Sequence, residues 1–324
     1  MHSIQIGIVG CGWFGNTHLD TLLQTPGVEV AALATGNEAR LRKTGEKVPG
    51  ARQYRTAEEM FEKERLDAAV ICVTPERHGC IEREAARRGI HLYVEKPIGL
   101  SLPEVQETAQ AIQKAGILAA VGYQQRYSPA LREIKTVLNN RKVGLISGRW
   151  VGFAAPALWW RRKEQSGGQL VEQATHIVDA LRYLFGEVEL VFSVGRCGLA
   201  SLADSNIEDC STTLLRFQNG IQASLQAGCY LEDGMDGDVG FEIFCSDMRI
   251  QYRWSGSARF VTAQEDRTVK VPGGLQVVSM QTFLEAVRNN NPGLIQSTYD
   301  DAMKTLRVTL AANRSMETGA PVSL

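Results

Sequence analysis

The sequence predicts an α/β protein of two domains. A doubly wound parallel sheet is expected over residues 1–125, and a C-terminal α/β domain with a large open antiparallel sheet over residues 126–324. Two observations carry this. The first third of the chain alternates short, unbroken apolar runs with helical patterns, as strands of a parallel sheet covered on both faces do. After about Gln125 the rhythm changes to closely spaced strands, often joined by Asn-Gly or Ser-Asp pairs, which read as a meander of hairpins. A chain of 324 residues with 44% hydrophobic and 22% charged content can fill two ordinary cores.

In order, the first domain is expected to run through strand 4–9, helix 12–24, strand 28–34, strand 68–73, helix 79–88, strand 91–94, helix 102–115 and strand 118–122. The second begins with helix 128–138, strand 144–153, a polar loop and helix 170–184. Strands then follow at 188–194, 209–217, 221–229, 239–245, 248–254, 259–263 and 268–271. Two helical patterns, 277–290 and 298–318, close the chain around the breaker Asn291-Pro292-Gly293.

Composition removes several classes of function. The net charge of −1 and the lack of any run of five or six like charges offer nothing to a phosphate backbone or an anionic membrane. No apolar stretch approaches the roughly 18 residues of a membrane span. The N-terminus enters a strand pattern without a signal-peptide core, so a cytoplasmic protein is expected. The seven cysteines lack CxxC spacing and read as reduced core residues; the five histidines, His2, His18, His78, His91 and His176, lack ligand spacing, so no metal is expected.

Gly10-Cys-Gly12-Trp13-Phe14-Gly15 places a GxGxxG where the first strand becomes a helix. Gly10 permits the turn, Gly12 leaves room for a pyrophosphate at the helix N-terminus, and Gly15 lets helix and strand pack closely. This is the fingerprint of a Rossmann dinucleotide site. At the end of the second strand, Ala34-Thr35-Gly36-Asn37 lacks the carboxylate that would bind a ribose 2′-hydroxyl. Thr35 and Arg40, with Arg42 and Lys43, would instead meet a 2′-phosphate, so NADP is expected ahead of NAD. The three cations read equally well as a solvated helix face.

Two further stretches carry unusual polarity. Val94-Glu95-Lys96-Pro97 leaves a buried strand at its carboxyl end, where ligands of parallel sheets bind. Glu172, His176 and Asp179 follow a Gly-Gly turn at helical spacing. An imidazole has the pKa to exchange the proton of a carbinol, and an ammonium beside the same oxygen would stabilise alkoxide character. Either stretch alone reads as ordinary structure; beside a dinucleotide motif they read as a catalytic pair. Tyr123, Arg126, Tyr127, Trp159, Trp160, Arg161 and Arg162 would suit a sugar ring or an acidic group, although core packing would also explain about half of them.

These marks together resemble the glucose-fructose oxidoreductase and inositol dehydrogenase (Gfo/Idh/MocA) family across essentially the whole chain. They are the glycine loop, Thr74-Pro75 with His78, Glu95-Lys96-Pro97, Gly122-Tyr-Gln-Gln-Arg126-Tyr, the Gly167-Gly168 to Asp179 stretch and a C-terminal Thr-Gly-Ala-Pro-Val. The resemblance implies sugar-like or cyclitol substrates and an open sheet used in oligomerisation. It implies that Lys96 contacts the reacting oxygen and nicotinamide ribose, that His176 is the acid/base, and that Glu172 orients it or shares its proton. It implies further that Thr74, Pro75, His78, Glu95 and Gln124 line the cofactor cleft, with Trp160 and Arg161 on a covering loop. Two departures stand out: Glu172 occupies a position where many members have aspartate, and Gln169 replaces the usual third glycine.

The expected function is thus hydride transfer between nicotinamide C4 and a sugar- or cyclitol-like alcohol or ketone, with Tyr123, Arg126, Trp159 and Asp179 on the substrate. Two alternatives keep the same fold: a glycosidase or epimerase that retains its cofactor, and a non-catalytic dinucleotide sensor. Leu214, Leu215, Phe217, Ile221, Ala223 and Leu225 place apolar residues on both alternating sets of two strands, which points to a homodimer or homotetramer through that sheet or to cover by the chain's own helices.

Overall fold

The computed structural model describes residues 3–200, 204–254, 256–270 and 273–324. The chain forms two compact units: Met1–Gln124 with Gln276–Met303, and Gln125–Leu275 with Lys304–Leu324. A single division at 125/126 does not describe this, because residues 276–303 belong to the first unit.

The first unit contains β1 (Ile4–Val9), α1 (Trp13–Leu23), β2 (Val28–Ala34), α2 (Glu38–Gly45), β3 (Arg52–Tyr54), α3 (Ala57–Lys63), β4 (Ala68–Ile71), α4 (Cys80–Arg87), β5 (His91–Val94), α5 (Leu102–Ala115) and β6 (Ala119–Val121). Its six strands are parallel in the order β3-β2-β1-β4-β5-β6. The order reverses between β1 and β4, which creates a topological switch point where β1 gives way to the glycine loop. β3 and α3 were not expected; a three-residue strand, Arg-Gln-Tyr, carries no periodicity that could announce it.

The second unit contains α6 (Pro129–Leu138), β7 (Val143–Val151), the short α7 (Lys163–Ser166), α8 (Thr175–Phe185), β8 (Val188–Arg196), β9 (Cys210–Phe217), β10 (Gln222–Gly228), β11 (Asp238–Cys245), β12 (Arg249–Arg253), β13 (Ser257–Val261) and β14 (Asp266–Lys270). The expected strand end at Val271, like His2, lies outside the described residues. α9 (Leu275–Asn289) and the first turn of α10 (Tyr299–Thr318) belong to the first unit apart from Leu275, and the rest of α10 with β15 (Val322–Ser323) to the second.

The nine strands of the second sheet run β14-β13-β12-β11-β7-β10-β9-β8-β15. It is not a simple meander, since β7 inserts between β10 and β11 and pairs with β10 in parallel, while every other pair is antiparallel. One face packs on α6, α8 and α10 through Ile146, Leu215, Phe217, Ala223, Leu225, Phe241 and Ile243, against Leu131, Ile134, Ile177, Leu181 and Val308. So the apolar surplus read in β9 and β10 is largely this core. On β9 only Leu214 of the residues singled out is exposed.

The cysteines are free thiols, but Cys80 and Cys197 are exposed rather than in the core. No helix among the described residues is long and apolar enough to cross a membrane.

Candidate functional site

In the first unit the glycine loop is set by close approach. Gly10 has φ +96°, and a Cβ there would lie 2.1 Å from the Cys72 carbonyl oxygen; a Cβ on Gly15 would lie 1.9 Å from the Gly10 carbonyl oxygen. Above Gly12 there is open space, the room a pyrophosphate needs beside the exposed N-terminus of α1. Trp13 is 81% exposed and Phe14 37%, their rings tilted at 5.0 Å.

Where β2 ends, Thr35 is half-buried and Arg40 exposed. The Asn37 side chain accepts from the Arg40 backbone N–H at 3.0 Å and so caps α2. Arg55, which sequence reasoning missed, donates to Glu38 at 3.0 Å and to the Gly36 carbonyl at 2.9 Å. Burial raises the Cys11 thiol pKa, opposed by a hydrogen bond to Thr44 and by the Arg40 charge.

Lys96 is half-buried at the exit of β5, and its peptide bond to Pro97 is cis. Glu95 turns inward rather than towards a cleft: His18 Nε2, from the buried stripe Gly15-His18-Leu19-Leu22 of α1, donates to its Oε1 at 2.7 Å. His78 is likewise withdrawn from the position expected of it. Its Nδ1 donates to Glu82 Oε1 at 2.5 Å, with both side chains buried. Thr74 hydroxyl donates to Glu76 at 2.8 Å, Pro75 is buried, Gln124 is half-buried, and Tyr123 is only 2% exposed, which leaves it little surface for a substrate.

In the second unit His176 opens α8 directly after a π-helical turn, Leu170–Ala174. The wider turn carries Glu172, so the i,i+4 spacing assumed for a regular helix is altered locally. Glu172 Oε2 accepts from the Trp160 indole N–H at 2.8 Å. Trp160 itself is 1% exposed, packed with Ile207 and Cys229 and flanked by Trp159. It therefore holds Glu172 from inside its own unit; Arg161, next to it, is half-buried in the same 3-10 turn, Leu158–Arg161.

His176 is 7% exposed and enclosed by two indoles that sequence reasoning missed. Trp150 stacks on it at 5.5 Å and 17°, and Trp254 lies tilted at 4.9 Å. Alternation of Ile146, Gly148 and Trp150 along β7 was a signal for the first; nothing local announced the second.

Arg126 and Asp179, expected on the substrate, instead engage each other. Arg126 Nε and Nη2 donate to the two Asp179 oxygens at 2.8 and 2.7 Å, and the Thr305 hydroxyl adds a 2.9 Å bond. Arg126 is 5% and Asp179 1% exposed, so this forked pair is an internal strut of α8. Gln169, 2% exposed, donates to the Trp150 and Gly228 carbonyls at 3.3 and 3.4 Å, work a third glycine could not do.

Residues 4–123 match the family model described as oxidoreductase family, NAD-binding Rossmann fold, and residues 133–251 match the Gfo/Idh/MocA C-terminal domain. The chain is similar to myo-inositol 2-dehydrogenase of Thermotoga maritima, 26% identical over 344 residues covering 99% of this chain and 98% of that one. It is similar to D-apiose dehydrogenase of Paraburkholderia graminis, 28% identical over 340 residues covering 98% and 88%. The fold matches that of scyllo-inositol dehydrogenase from Lactobacillus casei, solved with NAD(H) and scyllo-inositol, at TM-score 0.84 and 20% identity over 99% of each chain.

Proposed function

Because the chain belongs to the Gfo/Idh/MocA oxidoreductase family, we propose that it is a nicotinamide-dependent dehydrogenase acting on a CH–OH group of a sugar or cyclitol. The observation that carries this is the switch point of the first sheet. There the exits of β1, β4 and β5 bring the glycine loop, Thr74-Pro75 and Lys96 to one edge. A bound nicotinamide supplies the hydride donor or acceptor. The open space at Gly12 and the amides opening α1 fit its pyrophosphate. Lys96 donates to the reacting oxygen and stabilises its negative character. His176, its plane set by Trp150, takes or returns the hydroxyl proton, and Glu172, held by Trp160, orients it.

The ribose end supports NADP(H) over NAD(H) within this reading: the Glu38 carboxylate is occupied by Arg55, and Arg40 is exposed in the first turn of α2. Residues Leu145 and Phe244, paired across β7 and β11, and Phe192 and Leu214, paired across β8 and β9, support self-association through the outer face of the second sheet.

The test is titration with NADPH and NADH, followed by a screen at the nicotinamide absorbance band with myo-inositol, scyllo-inositol, D-apiose and their keto forms. Turnover that Lys96→Ala and His176→Ala abolish while binding persists supports the proposal. A folded, nucleotide-free chain that binds neither dinucleotide overturns it. Binding without net turnover transfers support to retained-cofactor chemistry or a sensor.

A further inference from the structure

A buried imidazole–carboxylate pair is a poor way to stabilise a fold, since apolar residues of similar volume do as well or better. The pair His18–Glu95 therefore calls for another explanation, and its surroundings supply one. His18 is 0% exposed; its ring edge meets Tyr93 at 5.1 Å and 64°, and Phe14 lies 6.4 Å away on its outer side. The Glu95 carboxylate is held on three sides. His18 Nε2 donates to Oε1 at 2.7 Å, and the Lys96 backbone N–H donates to Oε2 at 3.3 Å. Gly122, at the exit of β6, closes the third side: a Cβ there would lie 2.8 Å from both Glu95 oxygens. Gly122 is not among the glycines with positive φ, so its missing side chain serves space rather than backbone conformation.

Each contact falls on the residue before Lys96 or on the Lys96 peptide itself. His18 is one turn past Phe14 on α1, the helix that begins at the glycine loop. We propose that His18 and Gly122 are positioning residues: they clamp the Glu95 carboxylate, which fixes the direction in which Lys96 leaves β5 and ties it to the helix that receives the dinucleotide. The inference rests on the reading of Lys96 given above.

Two independent substitutions disturb the same carboxylate. His18→Leu removes the donor; Gly122→Ala pushes the carboxylate from the opposite side. The full-length chain carrying each change, together with His18→Gln and Lys96→Ala, is compared in three measurements. These are affinity for NADPH and for NADH by fluorescence, kcat and KM with NADP+ or NAD+ and myo-inositol, and hydrogen–deuterium exchange of the peptide spanning residues 94–98.

The expected result is a fall in kcat of tenfold or more for both His18→Leu and Gly122→Ala, dinucleotide affinity within twofold of wild type, and faster exchange at the Lys96 amide. His18→Gln, which keeps a donor, recovers part of the rate. The proposal is overturned if both variants keep kcat within twofold. It is also overturned if kcat, dinucleotide affinity and thermal stability fall together, the mark of a merely structural pair. Full turnover by Lys96→Ala removes the reading of Lys96; an inactive Lys96→Ala beside fully active anchor variants removes the positioning role alone. If the wild type does not turn over myo-inositol, the exchange measurement decides: unchanged Lys96 exchange in both variants overturns the clamp, and faster exchange in both supports it.

Discussion

His18 in the first unit and His176 in the second are both nearly removed from solvent, at 0% and 7% exposure, and they are held by opposite means. A carboxylate grips His18 through one ring nitrogen, as Glu82 grips His78. His176 is held by its flat faces, stacked on Trp150 and bordered by Trp254. A carboxylate partner fixes a nitrogen in place and engages its proton; an indole face fixes the ring plane and competes for no proton. The first arrangement suits an anchor; the second sets the plane of the ring.

The largest expected effect concerns the support beneath His176. Asp179→Ala removes the carboxylate forked against the buried Arg126 guanidinium, and should cost about 3–5 kcal/mol of unfolding free energy in urea titrations. Replacing both members with apolar residues of similar volume should recover most of it. A loss below about 1 kcal/mol for Asp179→Ala would mean that water reaches the pair, and that α8 is not braced by it.

The stack itself comes next. Trp150→Leu should cost about 2 kcal/mol, less than full removal of a buried Trp because the indole is only half-buried. Trp150→Phe keeps a ring against His176 and should cost about 1 kcal/mol. Near-ultraviolet circular dichroism and kcat should separate the two variants; equal behaviour would show that volume, not stacking, holds the imidazole.

A smaller effect calibrates the carboxylate-held kind of contact. Glu64 accepts from Arg52 and Tyr54, and its pKa lies below the ordinary 4.5 chiefly because of the Arg52 hydrogen bond. Its folded pKa is depressed, so its stabilisation is complete above about pH 4.5 and is lost as pH falls through the lower folded value. Glu64→Gln should remove that part of the acid sensitivity in pH-dependent unfolding; an unchanged acid limb would show that the contact contributes nothing net.

The smallest signal sorts defects between the units. Cys80 and Cys197 should react with a thiol reagent first. Cys72, half-buried with its thiol held well above the ordinary range by burial and the Glu95 charge, should react more slowly, and Cys229, buried and pushed up to about 12, only as its own unit opens. A His18 variant should quicken Cys72 without Cys229, and a Trp150 variant the reverse; joint acceleration would dissolve the distinction between the two regions.

The same contrast explains what could be read from the chain. Gly10, Gly12 and Gly15 act within a few residues of one another, so their spacing carries their reason, and Lys96 follows from its place at a strand end. The buried Arg126–Asp179–Thr305 strut joins residues 53 and 126 positions apart, and Trp254 reaches His176 from a distant strand end. No periodicity encodes such partners. Arg126 and Asp179 consequently looked like substrate contacts, and the place of Trp160 on a covering loop came from the family resemblance alone. His18, a polar residue on the apolar stripe of α1, carries a local signal, but it reads only as one of five histidines without ligand spacing.

The division of the chain bears on the order in which it is made. Met280, Phe283, Leu284 and Ala286 belong to the same core as Ile6, Ile8, Tyr93 and Ala120, and Tyr93 hydroxyl meets Ser279 at 3.1 Å. A ribosome that has released the first 124 residues has therefore released an N-terminal sheet still lacking part of its own interior, and the missing helix emerges some 150 residues later, after roughly 8–30 seconds at ordinary elongation rates of about 5–20 residues per second. During that interval the sheet carries an uncovered apolar patch. A fragment cut at residue 125 would carry it permanently, whereas one that joins 1–124 to 276–303 through a short linker restores the cover.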